Sequence, residues 1–518
     1  MRDSSRDGWQ NRLETYVLTN FEGVWSLLQR VEPLRRATNR ALISRAILKI
    51  PTRPNPFSTM APYSSWESLT DRSYDSRHLP PVAQDGLPPE DRVADLFMRR
   101  GEGEQCPKST VMFAYFAQWF TDGFLRSDRH PERDPRRNDT NHELDLTPLY
   151  GVRKEITEAL RSHEGGRLKS QVIGGAEYPP YLYDGGAVKP EFAGLGVVRP
   201  GQIPPDRFDT LFATGSDTTN SQIGFVMLNV LFLREHNRLA GLLAAEYPSW
   251  DDERLYATAR NILIVLLIKI VIEEYINHIA PYLFEFGADP WDFKRESWYR
   301  SNWMAIEFNL LYRWHSLIPS RLQVAGAGLP VWETIFRTDL VTENGIARLF
   351  ADASNQPAGR VGMLNTDPAL REPELASVRE ARAVGLAPYN AYRELARFPR
   401  VTRFEQITGD AERIAALREV YRSVDRIELY PGLFAEDTRP NSVLPALIGR
   451  MVGIDAFSQA LTNPLLAPRL FNERTFSPLG MEVIRTTKTL SDVLNRNVPE
   501  SPGTHFVAMT RRDWRRER

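Results

Sequence analysis

The sequence offers almost no sulfur chemistry, because Cys106 is the only cysteine among 518 residues. A lone cysteine cannot pair within the chain, which excludes a disulfide-stabilised scaffold. An excess of charge of one sign is also missing, since 65 basic residues balance 66 acidic ones to a formal net charge of -1. This balance argues against a general nucleic-acid binder, which would carry a basic excess. The 42% share of hydrophobic residues excludes a disordered chain.

Long hydrophobic runs are missing as well. The longest, residues 262–272, is shorter than the roughly 20 apolar residues that a bilayer-spanning helix needs, and Lys269 interrupts it. We therefore predict a buried core helix there. The first residues, MRDSSRDGWQNRLE, contain no apolar region typical of a secretory signal peptide. The expected location is the cytoplasm, in a bacterium, with peripheral contact to the inner face of the membrane as an open alternative.

Several catalytic motifs are absent. None of the eight histidines belongs to an HExxH sequence, and no Cys/His cluster exists, so a zinc site has no support. The chain has neither a phosphate-binding G-x-x-x-x-G-K-[ST] motif nor a G-x-G-x-x-G motif after a strand. It also lacks the G-x-S-x-G motif of many serine hydrolases. Nucleotide-binding and simple serine-hydrolase functions are therefore not supported.

Helical periodicity dominates what is present. Strongly helical patterns cover residues 221–286, and shorter ones lie near 301–317, 330–350, 375–397, 410–423 and 442–461. Phe113, Phe116, Phe120 and Phe124 recur at spacings of three and four, which predicts one core-facing side of a helix. Residues 172–208 are rich in Gly and Pro and predict a long ordered coil. With no alternating strand series and no βαβ rhythm, the predicted fold class is mainly α.

The first 60 residues form a segment of their own. Within residues 9–50, the apolar Trp25, Leu28 and Val31 precede arginines that are interleaved with further apolar residues. Two interpretations stay open: amphipathic helices on a membrane surface, with arginines towards lipid headgroups, or helices packed on the main body. Prolines from Pro51 onwards end this region, since each removes a helix donor. We predict an N-terminal helical segment over 1–60 and a main domain over 61–518.

The segment EFNLLYRWHSLIPS carries the most suggestive pair of side chains. Tyr312 and His315 are three residues apart, which on a helix places them on one face. A single histidine there could be an axial ligand of haem iron. The alternative is a hydrogen-bonded core histidine beside a tyrosine that only packs.

A wider set of motifs bears on that choice. The chain resembles the animal-type haem peroxidase superfamily, in its cyclooxygenase branch, over about residues 63–498. The matching stretches are collinear with that family: YSSWESLTDRSYDSRHLP, MFAYFAQWFTDGFLRS, NHELDLTPLYG, GRLKSQVIGGAEYPPY, FLREHNRLAGLLAAEYPSW, IKIVIEEYINHIAPY, AIEFNLLYRWHSLIP, PAGRVG, YNAYRELARF, IELYPGLF and FSQALTNP. The resemblance implies a multi-helix peroxidase fold with long ordered coils, little strand and bound haem b.

The resemblance also implies roles for single residues. His315 matches the proximal iron ligand, and Tyr312 matches the tyrosine that becomes a radical and takes hydrogen from a fatty acid. Tyr275 matches the tyrosine that hydrogen-bonds the radical tyrosine, and Tyr282 matches a channel-mouth tyrosine that helps to hold the substrate carboxylate. On a continuous helix, Tyr275, Ile279 and Tyr282 would share one face and could line a channel wall. An ordinary buried helix face is the alternative.

Two substrate contacts match the family less closely. FSQALTNP suggests Ser458 as the channel serine, with Ala456 in competition because the spacing requires a gap. Arg45 is the first candidate for the cation that binds a carboxylate, and Lys49 is the second. An arginine suits this role because its planar guanidinium pairs with both carboxylate oxygens. A solvated helix face explains both cations equally well.

The distal side departs from the family. Gln118 matches the distal glutamine, but Asp122 stands where the cyclooxygenase branch has a distal histidine. That histidine accepts a proton from peroxide and returns it to the leaving oxygen, whereas aspartate has a reference pKa of ~3.9 and would act as a base only if burial raised it. TGSDTTNSQIG offers no glutamate for an ester link to haem, so we expect none. The single cysteine also excludes an epidermal-growth-factor-like module.

Three functions follow as hypotheses. The first is a tyrosyl-radical dioxygenase that inserts O2 into an unsaturated fatty acid or other acyl substrate. The second is a haem peroxidase, or a hydroperoxide-converting enzyme, that uses Gln118 and Asp122 on peroxide. The third is a membrane-associated haem-binding protein with little turnover. A homodimer is expected by analogy with relatives of this type, and no nucleic-acid partner is expected.

Overall fold

The computed structural model describes residues 8–50, 74–126, 134–195, 203–299 and 302–517. The chain is 52% helical and 10% strand, which confirms the predicted mainly-α fold class. Strands in the described residues form two-stranded sheets only. The matching stretch that begins at Tyr63 and the proline-rich region that begins at Pro51 lie partly or wholly outside the described residues.

The helices and strands alternate with long coils. The helices are α1 (Trp9–Thr19), α2 (Glu22–Arg30), α3 (Glu32–Ile47), α4 (Glu90–Ala94), α5 (Val111–Thr121), α6 (Thr147–Tyr150), α7 (Lys154–Leu160), α8 (Ile223–Glu246), α9 (Asp252–Ile270), α10 (Asn277–Ile279), α11 (Ile306–Leu311), α12 (Thr338–Asn344), α13 (Ile346–Asn355), α14 (Arg371–Ala383), α15 (Tyr389–Leu395), α16 (Ala411–Tyr421), α17 (Leu429–Ala435), α18 (Ala446–Leu461), α19 (Glu473–Thr486) and α20 (Leu490–Asn495). The strands form antiparallel pairs: β1 (Gln105–Thr110) with β8 (Pro357–Gly359), β2 (Gln171–Ile173) with β3 (Ala176–Tyr178), β4 (Tyr183–Asp184) with β5 (Ala187–Val188), and β6 (Arg321–Val324) with β7 (Ala327–Pro330).

The core is built around α8 and α9, which pack against each other, and α5 and α19 pack on this pair. The side chain of Asp251 caps α9 by accepting from the backbone N–H of Arg254. By length and composition alone, the helical stretch Asp252–Ile279 could cross a membrane, but 78% of its most apolar window is buried inside the protein. This burial confirms the predicted core helix, because an apolar helix needs either protein or lipid around it.

The predicted helix 221–286 is interrupted near its end. After α9 the backbone passes through a π-helical stretch, Val271–Ile276, before the single turn of α10. Ala280 is already extended, since it precedes Pro281 and the residue before a proline disfavours helix. Tyr282 therefore lies in coil. The prediction that Tyr275, Ile279 and Tyr282 share one helix face is wrong, because the wider π turn and the proline break the 3.6-residue phase.

Other predicted helices are shorter than their patterns suggested. The region 375–397 divides into α14 and α15, and Gly385 between them has φ +65°, a left-handed conformation that ends the first helix. The predicted coil at 172–208 contains two small hairpins, β2–β3 and β4–β5, and short 3₁₀ turns. These hairpins are too small to alter the fold class.

The three N-terminal helices pack on the body with one side only. Ile43 and Ile47 of α3 are buried, and α3 contacts α18. Trp25 of α2 packs edge-on against Phe284 at 6.0 Å between ring centroids and donates to the carbonyl of Val17. The outward sides of α1 and α2 expose large apolar side chains: Trp9, Leu13, Tyr16, Val24 and Leu27. Packing on the body and an exposed apolar surface therefore coexist in this segment.

Candidate active site

One wall of the site is helix α5. Ten of its eleven residues are buried, and the exception is Gln118, which is exposed. Close packing fixes this helix, because a Cβ at Gly224 of α8 would lie 2.1 Å from the ring of Tyr115. The side chain of Gln222, just before α8, donates to Oε1 of Gln118 at 2.7 Å. This bond leaves the Gln118 amide NH2 as a donor towards open space.

His315 does not lie on the helix that the sequence predicted. Helix α11 ends at Leu311, Tyr312 is its C-cap, and His315 begins a separate 3₁₀ turn. The expectation that Tyr312 and His315 share a helix face is therefore wrong. The reason is tertiary packing: a Cβ at Gly359 of β8 would lie 2.1 Å from the carbonyl oxygen of Ser316, so β8 holds this segment in place. The backbone N–H of Gly362 also donates to Oγ of Ser316.

The imidazole of His315 fits the role of a haem ligand. Its Nδ1 is buried, yet the side chain as a whole is 22% exposed, so the accessible part of the ring is away from Nδ1. Among the described residues, no three of His, Cys, Asp and Glu gather as a metal site. A lone accessible imidazole suits a metal that brings its other ligands with it, as iron porphyrin does.

Tyr312 lies in a cluster of aromatic rings that we call the tyrosine cage, formed by Phe113, Phe120, Tyr275, Phe308, Tyr312 and Trp314. The Tyr312 ring is 4.7 Å from Trp314, 5.1 Å from Phe308 and 6.2 Å from Phe120, between centroids. Tyr275 in turn stacks on Phe113 at 5.3 Å. The predicted phenylalanine side of α5 is thus core, and part of that core faces both tyrosines.

The hydroxyls of Tyr275 and Tyr312 affect each other. Burial raises the pKa of Tyr275 well above its usual value, and Tyr312 raises it further. Burial also raises the pKa of Tyr312, while the hydroxyl of Tyr275 opposes that rise. Neither hydroxyl has a hydrogen-bond partner of full geometric quality among the described residues. Both phenols are therefore kept neutral and close together.

On the distal side, the carboxylate of Asp122 is held by its neighbours, a group that we call the distal acid cluster: Asp122, Arg126, Ser216, Asp217 and Thr218. Oδ2 of Asp122 accepts from Oγ of Ser216 at 3.2 Å and from the hydroxyl of Thr218. Nε of Arg126 lies 4.0 Å from Oδ1, and Arg126 also pairs with Asp217 at 2.6 Å. Burial would lower the pKa of Arg126, but the carboxylates of Asp122 and Asp217 outweigh it and raise the pKa.

The predicted contact Tyr282 lies near the predicted cations, because Glu14, the partner of Arg45 and Lys49, also acts on Tyr282. Ile279 is buried, and Tyr282 is half-buried in the coil after α10. Burial raises the pKa of Tyr282, and the positive charges of Arg450 and Arg439 oppose that rise. Sequence reasoning missed both arginines, because they lie on α18 and in the coil before it, far along the chain.

The two cations that the sequence did single out share one acidic partner. Arg45 is 61% exposed and pairs with Glu14 at 3.0 Å. Lys49 is only 12% exposed and reaches the same carboxylate. Of the pair, Lys49 is thus the more buried, and any substrate carboxylate bound there competes with Glu14.

Ser458 and Ala456 are both buried on α18. Oγ of Ser458 donates to the backbone carbonyl of Asp455 at 3.0 Å, which occupies its proton. Asp455 was not predicted as a site residue, yet its carboxylate lies 3.1 Å from Nε2 of the buried His78 and contributes to the raised pKa of Tyr312. No spacing could have revealed this pair, since 377 residues separate its members.

Glu374 on α14 is a second residue that sequence reasoning missed. Its Oε1 lies 3.1 Å from Nδ1 of His315. No motif marks this glutamate, because its relation to His315 arises only when α14 packs beside the 3₁₀ turn.

The sequence is similar to those of known proteins. A family model for animal haem peroxidases matches residues 123–507. The chain is 33% identical over 508 residues to prostaglandin G/H synthase 2 of Equus caballus, covering 95% of this chain and 81% of the relative. It is 32% identical over 522 residues to prostaglandin G/H synthase 1 of Mus musculus, covering 96% and 84%.

Solved structures agree in fold. Fatty acid alpha-dioxygenase of Oryza sativa superposes with a TM-score of 0.70 at 18% identity, covering 95% of each chain. Peroxidase A of Dictyostelium discoideum superposes with a TM-score of 0.69 at 18% identity, covering 89% of this chain and all of the other. The family model and the two synthases identify an oxidoreductase whose family implies haem. The protein described here belongs to the animal haem peroxidase family.

Proposed function

We propose that this protein is a haem-dependent dioxygenase that oxygenates an unsaturated fatty acid through a radical on Tyr312. The observation that carries the proposal is the tyrosine cage, where the half-buried Tyr312 packs against aromatic rings, lies near Tyr275 and is three residues from His315. A peroxidase that acts only on peroxide has no use for such a tyrosine. Relatives named prostaglandin G/H synthases support the reaction class.

His315 would hold haem b as its axial ligand, without an ester link, and the bound haem would supply the oxidising equivalent. The side chains around Tyr312 control the later steps. Burial raises the pKa of Tyr312 and keeps the phenol protonated, so that its proton and electron must leave together. The resulting radical takes a hydrogen atom from an acyl carbon, which restores the Tyr312 O–H bond. O2 then adds to the carbon radical, and the peroxyl radical that forms takes the hydrogen atom back from Tyr312. This last transfer gives a hydroperoxide and regenerates the radical on Tyr312.

The carboxylate end of the substrate is assigned to the surroundings of Tyr282. Arg450 acts on Tyr282 electrostatically, whereas Arg45 is solvent-exposed and paired with Glu14. A less exposed guanidinium binds a carboxylate more strongly, because water screens it less. Arg450 is therefore our first candidate for the carboxylate-binding cation, ahead of the exposed Arg45, and its planar guanidinium favours it over Lys49. The acyl chain would extend from there towards Tyr312, past Ile279.

We also propose that the N-terminal segment attaches the enzyme to a membrane surface, as an apolar substrate requires. Trp9 and Leu27 are 66% and 62% exposed, in a segment that also carries many arginines. Flotation with vesicles of phosphatidylcholine and phosphatidylglycerol tests this attachment. We expect Trp9→Glu/Leu27→Glu to remain in solution while the control Val172→Glu, an exposed valine elsewhere, still floats. Equal flotation of all proteins would contradict the attachment. Cytoplasmic location and a homodimer stay predictions.

The decisive experiment measures oxygen consumption by haem-loaded protein with linoleic acid. We expect Tyr312→Phe to lose at least about 100-fold in rate, since a phenylalanine cannot give up a hydrogen atom. Tyr256→Phe is the matched control, because Tyr256 is also buried with its hydroxyl outside strict hydrogen-bond geometry but belongs to α9 and packs on Tyr150 and His236. Undiminished oxygen uptake by Tyr312→Phe would overturn the proposal.

A second candidate, a peroxidase acting on hydroperoxides, rests on the free amide NH2 of Gln118 and on Asp122 one turn further along α5. Peroxide-driven oxidation of a small phenol that survives Tyr312→Phe and fails in Asp122→Ala would favour it. A haem absorption band without either activity would favour the haem-binding protein.

A further inference from the structure

We propose that Glu374 is a positioning residue for the iron ligand: it accepts a hydrogen bond from Nδ1 of His315 and thereby tunes the imidazole that binds haem iron. The inference rests on the proposed role of His315. It goes further, because it assigns control of the iron to a carboxylate on a different helix.

The geometry places one carboxylate among three polar groups. Oε1 of Glu374 lies 3.1 Å from Nδ1 of His315 and accepts from the hydroxyl of Thr366 at 2.7 Å. Oε2 accepts from the hydroxyl of Tyr430 at 2.5 Å. Nδ1 is itself buried and has no other hydrogen-bond partner in the described residues. Because Nδ1 and Oε1 are already within reach, a small rotation of the imidazole ring aligns its N–H with Oε1.

The charge balance points the same way. Glu374 is 1% exposed, and a buried carboxylate without a positive partner is destabilising. Among the described residues, His315 is its ion-pair partner within 4.0 Å, and no lysine or arginine takes that place. Thr366 and Tyr430 contribute hydrogen bonds but no charge. An imidazole bound to a metal cation through its other nitrogen provides the missing positive partner.

Two consequences follow for His315. A proton fixed on Nδ1 leaves Nε2 as the nitrogen with a free lone pair, so the ring is held in the tautomer that binds iron. A carboxylate acceptor also draws that proton away from the ring, which makes the imidazole a stronger electron donor. A stronger donor stabilises ferric over ferrous iron, so the reduction potential falls.

The test uses haem-loaded protein and two readouts other than turnover: the iron–imidazole stretching frequency of the ferrous state, by resonance Raman spectroscopy, and the ferric/ferrous midpoint potential. In Glu374→Gln we expect the frequency to fall and the potential to rise. Glu374→Asp restores part of both. Glu436→Gln is the matched control, since Glu436 is also buried and accepts from a tyrosine, Tyr389, at 2.5 Å but pairs with Arg393 and not with the ligand. We expect it to leave both readouts unchanged.

Tyr430→Phe gives a result of opposite sign. It removes one donor from Glu374, so the carboxylate accepts more strongly from His315, and the frequency should rise. Tyr430→Phe also tests the inference if Glu374→Gln does not fold. Unshifted readouts in Glu374→Gln, or Tyr430→Phe and Glu374→Gln shifting in the same direction, would overturn the inference alone. Wild-type protein that takes up no haem would overturn the proposed function as well.

Discussion

The tyrosine cage and the distal acid cluster both include residues of helix α5 or its C-cap, yet they are built from opposite chemistry. The cage surrounds Tyr312 with neutral aromatic rings, and burial raises the pKa values of both its tyrosines. The distal acid cluster surrounds Asp122 with hydroxyls and a guanidinium. The cage keeps each residue that the resemblance assigns to hydrogen abstraction, whereas the cluster replaces the histidine that would cleave peroxide.

This difference bears on which of the two candidate reactions the site favours. A proton acceptor needs a free lone pair and a pKa near the working pH. One oxygen of Asp122 already accepts from Ser216 and Thr218, and Arg126 stabilises its charge from 4.0 Å. Oδ2 of Asp122 is thus already engaged by two hydroxyl donors. Radical chemistry at Tyr312 makes no such demand, because the hydrogen atom leaves and returns at the same oxygen.

The largest effect is expected from removing the ligand that both regions depend on. His315→Ala should lose the haem absorption band and, with it, essentially all oxygenation and peroxidation, because His315 supplies the axial ligand of the proposed site. Absorption spectroscopy after haem titration measures the loss. Gln118→Ala is the control, since it changes the distal wall and should retain the band. An unchanged spectrum in His315→Ala would mean that haem binding does not depend on His315. The tyrosine cage could then no longer be assigned to the haem site.

The next effect tests the distal side. Asp122→His should raise peroxidase turnover roughly 10- to 100-fold. A general acid–base group that is fully positioned typically contributes more, and we expect the new imidazole to be positioned less well. The measurement is peroxide-driven oxidation of a small phenol. Asp122→Asn removes the same charge without supplying an imidazole, and we expect no gain from it. If Asp122→His also gives no gain, Ser216, Thr218 and Arg126 define a pocket that one substitution cannot convert.

The sequence predicts well those features that depend on periodicity. The burial of α9 and the core face of α5 follow from apolar spacing, because a helix must bury its apolar side. Predictions based on residue spacing were wrong where tertiary contacts end or interrupt a helix. Tyr312 and His315 lie on separate elements because β8 holds the turn at Ser316, and Tyr282 leaves the helix at Pro281.

Partners that are distant along the chain are a second limit. The contact between Glu374 and His315 and the pair His78–Asp455 have no repeating signature, since each arises only when separate helices pack. The resemblance supplied His315 and Tyr312, which retain the family's motif. The resemblance could not identify Arg450 or Glu374. Each is a candidate only because the fold places it beside a site residue, Arg450 near Tyr282 and Glu374 beside His315.

A smaller effect sharpens the description of the cage. Tyr275→Phe removes the hydroxyl that meets Tyr312 but keeps the ring stacked on Phe113. Because the two hydroxyls do not reach full hydrogen-bond geometry, their interaction contributes at most about 1 kcal/mol, so oxygen uptake should fall at most about fivefold. Oxygen-electrode rates measure the change, and Tyr275→Phe/Tyr312→Phe should be no slower than Tyr312→Phe alone. A loss as large as that of Tyr312→Phe would mean that Tyr275 itself carries the radical.

The smallest effect concerns the pH stability of the cage's outer layer. His278 packs on Phe113 at 4.6 Å between ring centroids, and its two nitrogens meet the hydroxyls of Ser109 and Thr510. Burial lowers the pKa of His278 well below 6.5, and the nearby Lys108 lowers it further. As the pH falls below 6.5, the unfolded chain therefore binds a proton at His278 that the folded chain does not bind. This contribution to stability is complete above pH 6.5 and is lost as the pH falls below it.

Urea unfolding at pH 8 and at pH 5 measures that contribution. His278→Gln keeps an amide that can meet both hydroxyls but cannot take up the proton. The variant should therefore lose less stability than the wild type between the two pH values. His163→Gln is the matched control, because His163 is exposed, and removing it should leave the wild-type pH dependence in place. If His278→Gln retains the full acid sensitivity, the burial of His278 is not the source of the wild-type loss of stability between pH 8 and pH 5.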